Sequence, residues 1–229
     1  VKLNSSESYR KYFKRAFPEM REAVKPRFIQ NAIACYVRSL SGLNSRFDQF
    51  VRGDKSKMNQ AEIAGFNIFM GKGKCGTCHF APLFNGTVPP AFEKIESEVI
   101  GVPETANAKN PKIDPDLGRY QYHRFDQLKH AFKTTTVRNI ALTAPYMHNG
   151  VFKTLEEVVD FYDKGGATGL GIELPNQTLP FDNLNLTVKE KKELVAFMNT
   201  LTDTSSVNTG VIKPQQLADG KLNSRKTVY

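Results

Sequence analysis

The chain has 229 residues, of which 40% are hydrophobic and 24% charged, and its net charge is +9. That is enough apolar side chain for a packed core in one large domain or two small ones, which excludes a disordered chain. Its lysines and arginines are scattered among acidic neighbours, so nucleic acid is not an expected partner and a basic docking face for an acidic redox protein is the better reading.

The opening stretch "VKLNSSESYR" lacks the apolar core of a secretion signal, so the sequence is expected to begin after processing or partway through a longer protein. Tyr9, Tyr12, Phe13 and Ala16 recur on one helical face that ends before Pro18. A second helix is expected from about Lys25 to Leu40, with Pro26 tolerated in its first turn. It aligns Cys35 with Phe28, Ala32 and Tyr36, which predicts a buried, inert thiol. The stretch "NQAEIAGFNIFMGKGKC" opens with Asn59 as a cap and Glu62 three residues later, and sets Ile63, Phe66 and Met70 on one side.

That helix delivers the chain to Cys75, Cys78 and His79, in a sequence with only three cysteines and four histidines. Two cysteines at this spacing serve a redox dithiol, half of a zinc site, or haem attachment through two thioethers with the next histidine on the iron. Zinc takes about four N or S ligands, and the only other thiol is Cys35. A thioredoxin-like dithiol needs a βαβ setting, which the flanking pattern does not provide. Covalent haem c, ligated by His79, is therefore expected, and its propionates subtract about two positive charges. Haem c is attached outside the bacterial cytoplasm, so a periplasmic location follows from the chemistry.

From His79 to about Phe132 periodicity disappears, a long stretch to leave structureless unless it packs on a large cofactor. Two capped helices come next. The first opens with Thr154 and Glu157 and closes at Gly165 and Gly166; the second opens with Thr187 and Glu190 and is expected to bury Leu194, Phe197, Met198 and Leu201. There is no convincing strand ladder, and no apolar run approaches the roughly 20 residues of a membrane span. The segment 203–229 reads as a polar C-terminal extension.

The iron's sixth position decides what such a haem does: methionine suits electron transfer, tyrosinate favours oxidised states, and an open site admits peroxide. Met147, His148, Tyr162, His123, His130 and Met198 are the candidates. Leu155, Val158, Val159 and Tyr162 share one helical face, so Tyr162 points inward and Phe161 does not, though from pattern alone a tyrosine there is by default a core residue with its hydroxyl satisfied. Met198 lies on an apolar helical face, where packing is the default. Met147 and His148, in the turn-like "TAPYMHNG", are open to either reading.

Four stretches in order, "NSRFDQFVRGD", "GFNIFMGKGKCGTCH", "VRNIALTAPYMHNGVFKTLEEVVDFYDKGG" and "ELVAFMNTLT", resemble the C-terminal haem domain of the bacterial di-haem cytochrome c peroxidase and MauG family. The resemblance implies an all-α, cytochrome-c-like haem domain with long irregular loops over residues 1–202. It also implies a missing N-terminal haem domain where hydrogen peroxide is reduced, with electrons entering here from a small cytochrome or cupredoxin. Tyr162 occupies the position of the axial methionine of typical peroxidases, as in MauG-like members. Thr143 and Pro145 correspond to residues whose backbone carbonyls help hold calcium between the two domains, and the family's dimer is a further implied assembly. Arg138, Arg124 and Lys133 are candidates to pair with the propionates. The alternative is a stand-alone mono-haem electron carrier with His79 and Met147 as ligands; a third reading leaves the distal side open.

Overall fold

The computed structural model describes residues 2–205 apart from 22, 40, 41, 107, 108, 180 and 181. All but the first residues of the expected C-terminal extension therefore lie outside the described residues. The described residues divide into two compact units, one of residues up to 39 with 204 and 205, the other within 42–203.

The first unit holds α1 (Lys2–Ser5), α2 (Glu7–Ala16) and α3 (Pro26–Ser39). Its core is Met20, Val24 and Phe28, with Phe13 and Phe17 packed against it. The Asn4 side chain fastens the turn before α3, donating to the Val24 carbonyl at 3.2 Å and accepting the Val24 N–H at 2.7 Å. Of α3 only Phe28 is buried. Cys35 is exposed, which corrects the expectation of a core thiol, and the Arg38 guanidinium stands 3.0 Å from its sulfur. The reason is geometric: the unit's core closes at the first turn of α3, and Ile33, Tyr36 and Val37 continue beyond it, 58%, 48% and 59% exposed.

In the second unit α4 (Arg46–Val51) and α5 (Gln60–Met70) are followed by an irregular stretch, then by α6 (Leu155–Asp163), α7 (Gly166–Gly169) and α8 (Val188–Thr200). Capping boxes start α4, α5, α6 and α8 at Ser45, Asn59, Thr154 and Thr187. The α5 and α8 helices cross at Gly65, where an added Cβ would lie 1.9 Å from the Glu193 carbonyl oxygen, so only glycine permits this approach. Around the crossing, Phe47, Phe69, Phe84 and Phe197 meet in edge-on pairs with centroids 5.2 to 5.9 Å apart. Leu194, Phe197, Met198 and Leu201 are buried as expected. The inner face of α5 is Glu62, Gly65, Ile68 and Phe69, whereas Met70 is exposed, because the close crossing centres the helix on its glycine.

The stretch from Phe80 to Thr154 contains β1 (Ser97–Glu98) and β2 (Phe132–Lys133), paired antiparallel. Further single bridges include Phe80 with Asn85, Pro103 with Ile113 and Tyr146 with Phe152. Strands of two residues leave no period to read. The stretch also contributes to a small core of its own, Val99 and Ala131 with Ala167, Ile172 and Leu174. The expectation of a mainly helical fold with long irregular loops is met. Among the described residues no helix is long and apolar enough to cross a membrane.

Candidate cofactor site

Helix α5 ends at Gly71, and the Gly73 N–H donates back to the Ile68 carbonyl at 2.8 Å. Lys74 then turns left-handed, with φ of 55°, into a single 3-10 turn at Cys75–Thr77. His79 N–H donates to the Cys75 carbonyl at 2.9 Å, which carries both cysteines and the histidine round one tight turn. At Gly76, between the cysteines, a Cβ would come 2.8 Å from the Met70 sulfur.

The His79 ring is oriented by the loop 80–85. That loop closes through Phe80 N–H to Asn85 carbonyl at 2.8 Å and contains the wholly buried Phe84, with φ of 50°. His79 Nδ1 lies 3.3 Å from the Phe84 carbonyl oxygen. A carbonyl only accepts, so Nδ1 carries the proton and Nε2 keeps its lone pair. Burial holds the imidazole below its ordinary pKa, against the opposing pull of the Phe84 and Thr135 carbonyls and the Glu98 charge, and so keeps the ring neutral.

The other groups of the motif feel the same surroundings. Burial pushes the Cys75 thiol up to about 12. Burial, then the charges of Glu98 and Glu96, raise Cys78 against a hydrogen bond with Thr77. Burial also raises the Tyr162 phenol, followed by its electrostatic coupling to Cys75, Cys78 and Glu98. Tyr162, Cys75 and Cys78 are all half-buried. Burial disfavours the thiolate at both cysteines. Two half-buried cysteines three residues apart, followed at once by an imidazole oriented through Nδ1, fit a covalently bound haem.

The remaining candidates lie elsewhere in their own networks. Arg138 is committed to the protein: Nε and Nη2 donate to the Pro82 carbonyl at 2.9 and 2.6 Å, Nη1 donates to the Gly42 carbonyl at 2.8 Å, and the fork grips Asp48 twice at 2.9 Å. Those five bonds match the five N–H groups of a guanidinium. Arg124 lies over the Tyr120 ring at 5.3 Å. Lys133 sits on β2. Met147 is half-buried in the turn 146–150, with φ of 69°. His148 stacks on Phe132 at 3.6 Å with Nε2 3.2 Å from Asp114, and His130 Nδ1 bonds the Asp116 carbonyl at 2.9 Å. His123 is exposed, as are Thr143, whose hydroxyl donates to Ile140, and Pro145. Met198 is in the core.

Phe161 corrects the expectation for α6. It is buried, against Phe152 at 5.3 Å and edge-on to Tyr162 at 5.6 Å, because the irregular stretch covers the side of α6 that a simple amphipathic pattern leaves to water. Two carboxylates at the site, Glu96 and Glu98, went unread. They alternate in "IESEV", as residues on one face of a strand do, but so short a strand gives no other sign.

A model of the di-haem cytochrome c peroxidase family matches residues 1–56. Cytochrome-c peroxidase IdrP2 of Denitromonas iodatirespirans is 35% identical over 191 residues, which cover 76% of this chain and 48% of that protein. The chain belongs to the di-haem cytochrome c peroxidase and MauG family. The methylamine utilization protein MauG of Methylorubrum extorquens is 29% identical over 202 residues, 87% of this chain and 51% of that one. This chain spans about half the length of these relatives. The crystal structure of a MauG-like protein associated with microbial copper homeostasis superposes with a TM-score of 0.69 at 29% identity, covering 91% of this chain and 62% of the other. The fold is thus the all-α, cytochrome-c-like one, and the cofactor of the family is haem c.

Proposed function

We propose that this chain is the C-terminal haem c module of a periplasmic, MauG-like di-haem peroxidase. It takes electrons from a small cytochrome or cupredoxin and passes them to a peroxide-reducing haem in an N-terminal domain. Cys75 and Cys78 would hold the porphyrin, and His79 Nε2 and the Tyr162 oxygen would be the two axial ligands. Bound haem supplies a one-electron iron centre.

The chain's own residues set the conditions for that centre. The Phe84 carbonyl fixes the His79 tautomer and makes the imidazole a better donor. Burial, then coupling to Cys75, Cys78 and the Glu98 charge, favours the neutral Tyr162 phenol, and a cation beside it would favour the anion. Glu96 and Glu98 add negative charge that favours the oxidised state. Calcium, held through the Thr143 and Pro145 carbonyls, would need oxygen ligands from the other half, and two copies of the whole protein would form the family's dimer.

The observation that carries this reading is the tight turn that brings Cys75, Cys78 and His79 together with His79 Nδ1 held 3.3 Å from the Phe84 carbonyl, and Tyr162 on α6 is the candidate for the iron's other side. Ferric EPR and absorption spectra of the haem-loaded chain test it. Phenolate ligation that disappears in Tyr162→Phe is expected. Identical spectra would remove Tyr162 as a ligand and point to Met147.

A further inference from the structure

Tyr162 lies one residue from the end of a nine-residue helix, where backbone groups run out of helical partners and the last turn frays. A ligand there is aimed only as well as that turn is held. Asp163 holds it. Its side chain is almost wholly buried: Oδ1 accepts the Leu186 N–H at 2.9 Å, and Oδ2 lies 2.7 Å from Lys191 Nζ on α8. The Asp163 carbonyl also accepts the Leu184 N–H at 2.9 Å, and Lys191 reaches Asp160, one turn earlier on α6, at 2.7 Å. The Gly165 N–H then caps the Tyr162 carbonyl at 3.0 Å, and the Gly165 carbonyl is pinned by Gln177 Nε2 at 2.8 Å.

A buried carboxylate is a costly way to join two helices, since apolar side chains of similar volume do so as well or better. What it adds is direction. Apolar contacts allow α6 to roll, whereas three bonds to fixed points on 184–191 set its rotation and hence the line of the Cα–Cβ bond of Tyr162.

We propose that Asp163, with Lys191, is a positioning residue that fixes the orientation of Tyr162, the residue that would bind the iron. This rests on the reading of Tyr162 as axial ligand, and the test separates the two. Ferric EPR and absorption spectra of the haem-loaded full chain are compared for wild type, Tyr162→Phe, Asp163→Ala, Asp163→Asn and Lys191→Met. Lys72→Met is the control; it removes the exposed Lys72–Glu190 pair, 2.8 Å, which ties the end of α5 to α8.

In Asp163→Ala, the form with the Tyr162→Phe spectrum should rise about tenfold or more over its wild-type share, the scale for losing a charged hydrogen-bonded partner. Asp163→Asn, which can still accept from Leu186, should show a smaller rise, and Lys72→Met none. Should Asp163→Ala fail to accumulate, Lys191→Met is read in its place, with the same expected sign. The proposal falls if Tyr162→Phe changes the spectrum while Asp163→Ala and Lys191→Met match wild type; the Tyr162 reading then survives alone. It also falls if Lys72→Met shifts the spectrum as far, since the effect would then be general loosening. An unchanged Tyr162→Phe spectrum removes both.

Discussion

The α5–α8 pair and the stretch 80–154 belong to the same compact unit but are held by different forces. At the helix crossing, phenylalanine rings and a glycine bring two backbones together, and burial of apolar area does the work. In the irregular stretch, side chains grip backbone. Arg138 gathers Pro82, Gly42 and Asp48, Thr136 donates to the Leu83 carbonyl at 2.7 Å, and Asn149 bridges the Pro103 carbonyl and Asp114. The haem motif sits at the junction: α5 delivers it, and the loop 80–85 orients its histidine. The lesson is that a region without regular structure is still specified when each turn has its own polar anchor.

The largest effect should come from the helix crossing. Phe197→Ala removes a fully buried ring and should cost about 3–5 kcal/mol in urea unfolding. Gly65→Ala drives a methyl into the Glu193 backbone and should cost at least the roughly 1–3 kcal/mol of an overpacked core.

Next is Arg138→Ala. It strands the nearly buried Asp48 and three carbonyl bonds, and should cost about 3 kcal/mol, the low end for breaking a buried pair. If it costs under about 1 kcal/mol, as an exposed pair would, the irregular stretch is not anchored as described.

The same pair predicts a pH dependence. Burial alone would raise the Asp48 pKa, but the Arg138 and Ser45 hydrogen bonds and the Arg138 charge outweigh it and hold the carboxyl below its ordinary value. A carboxylate depressed in the folded state stabilises above its unfolded pKa of about 4, and that stabilisation is lost as pH falls through the folded value. Wild type should therefore lose stability below about pH 4, with a shallower loss in Arg138→Ala. The smallest effect is Asn176→Ala, which frees the Lys129 carbonyl bonded at 2.9 Å and should cost about 1 kcal/mol.

Legibility in the sequence divides along the same line. The boxes at Asn59, Thr154 and Thr187 were legible because a cap and its partner lie three residues apart, and the inner face of α8 because its period is local. The haem motif was legible for the same reason. Arg138 pairs with Asp48 at a separation of 90 residues, which no local pattern announces. Phe161 and Cys35 were misread because periodicity assigns one inner face per helix. Helix α6 is covered on two sides, and α3 outruns the core of its unit. Asp163 was hidden by its position beside Tyr162: its partners lie across the fold on 184–191.

The most direct measurement is the intact mass of the purified chain, produced in cells that attach haem c, beside the Cys75→Ser, Cys78→Ser double variant. One haem gained by the wild type and lost in the double variant is predicted. A wild-type mass equal to that of the bare chain, from cells that load a control cytochrome normally, would contradict the haem site at Cys75, Cys78 and His79.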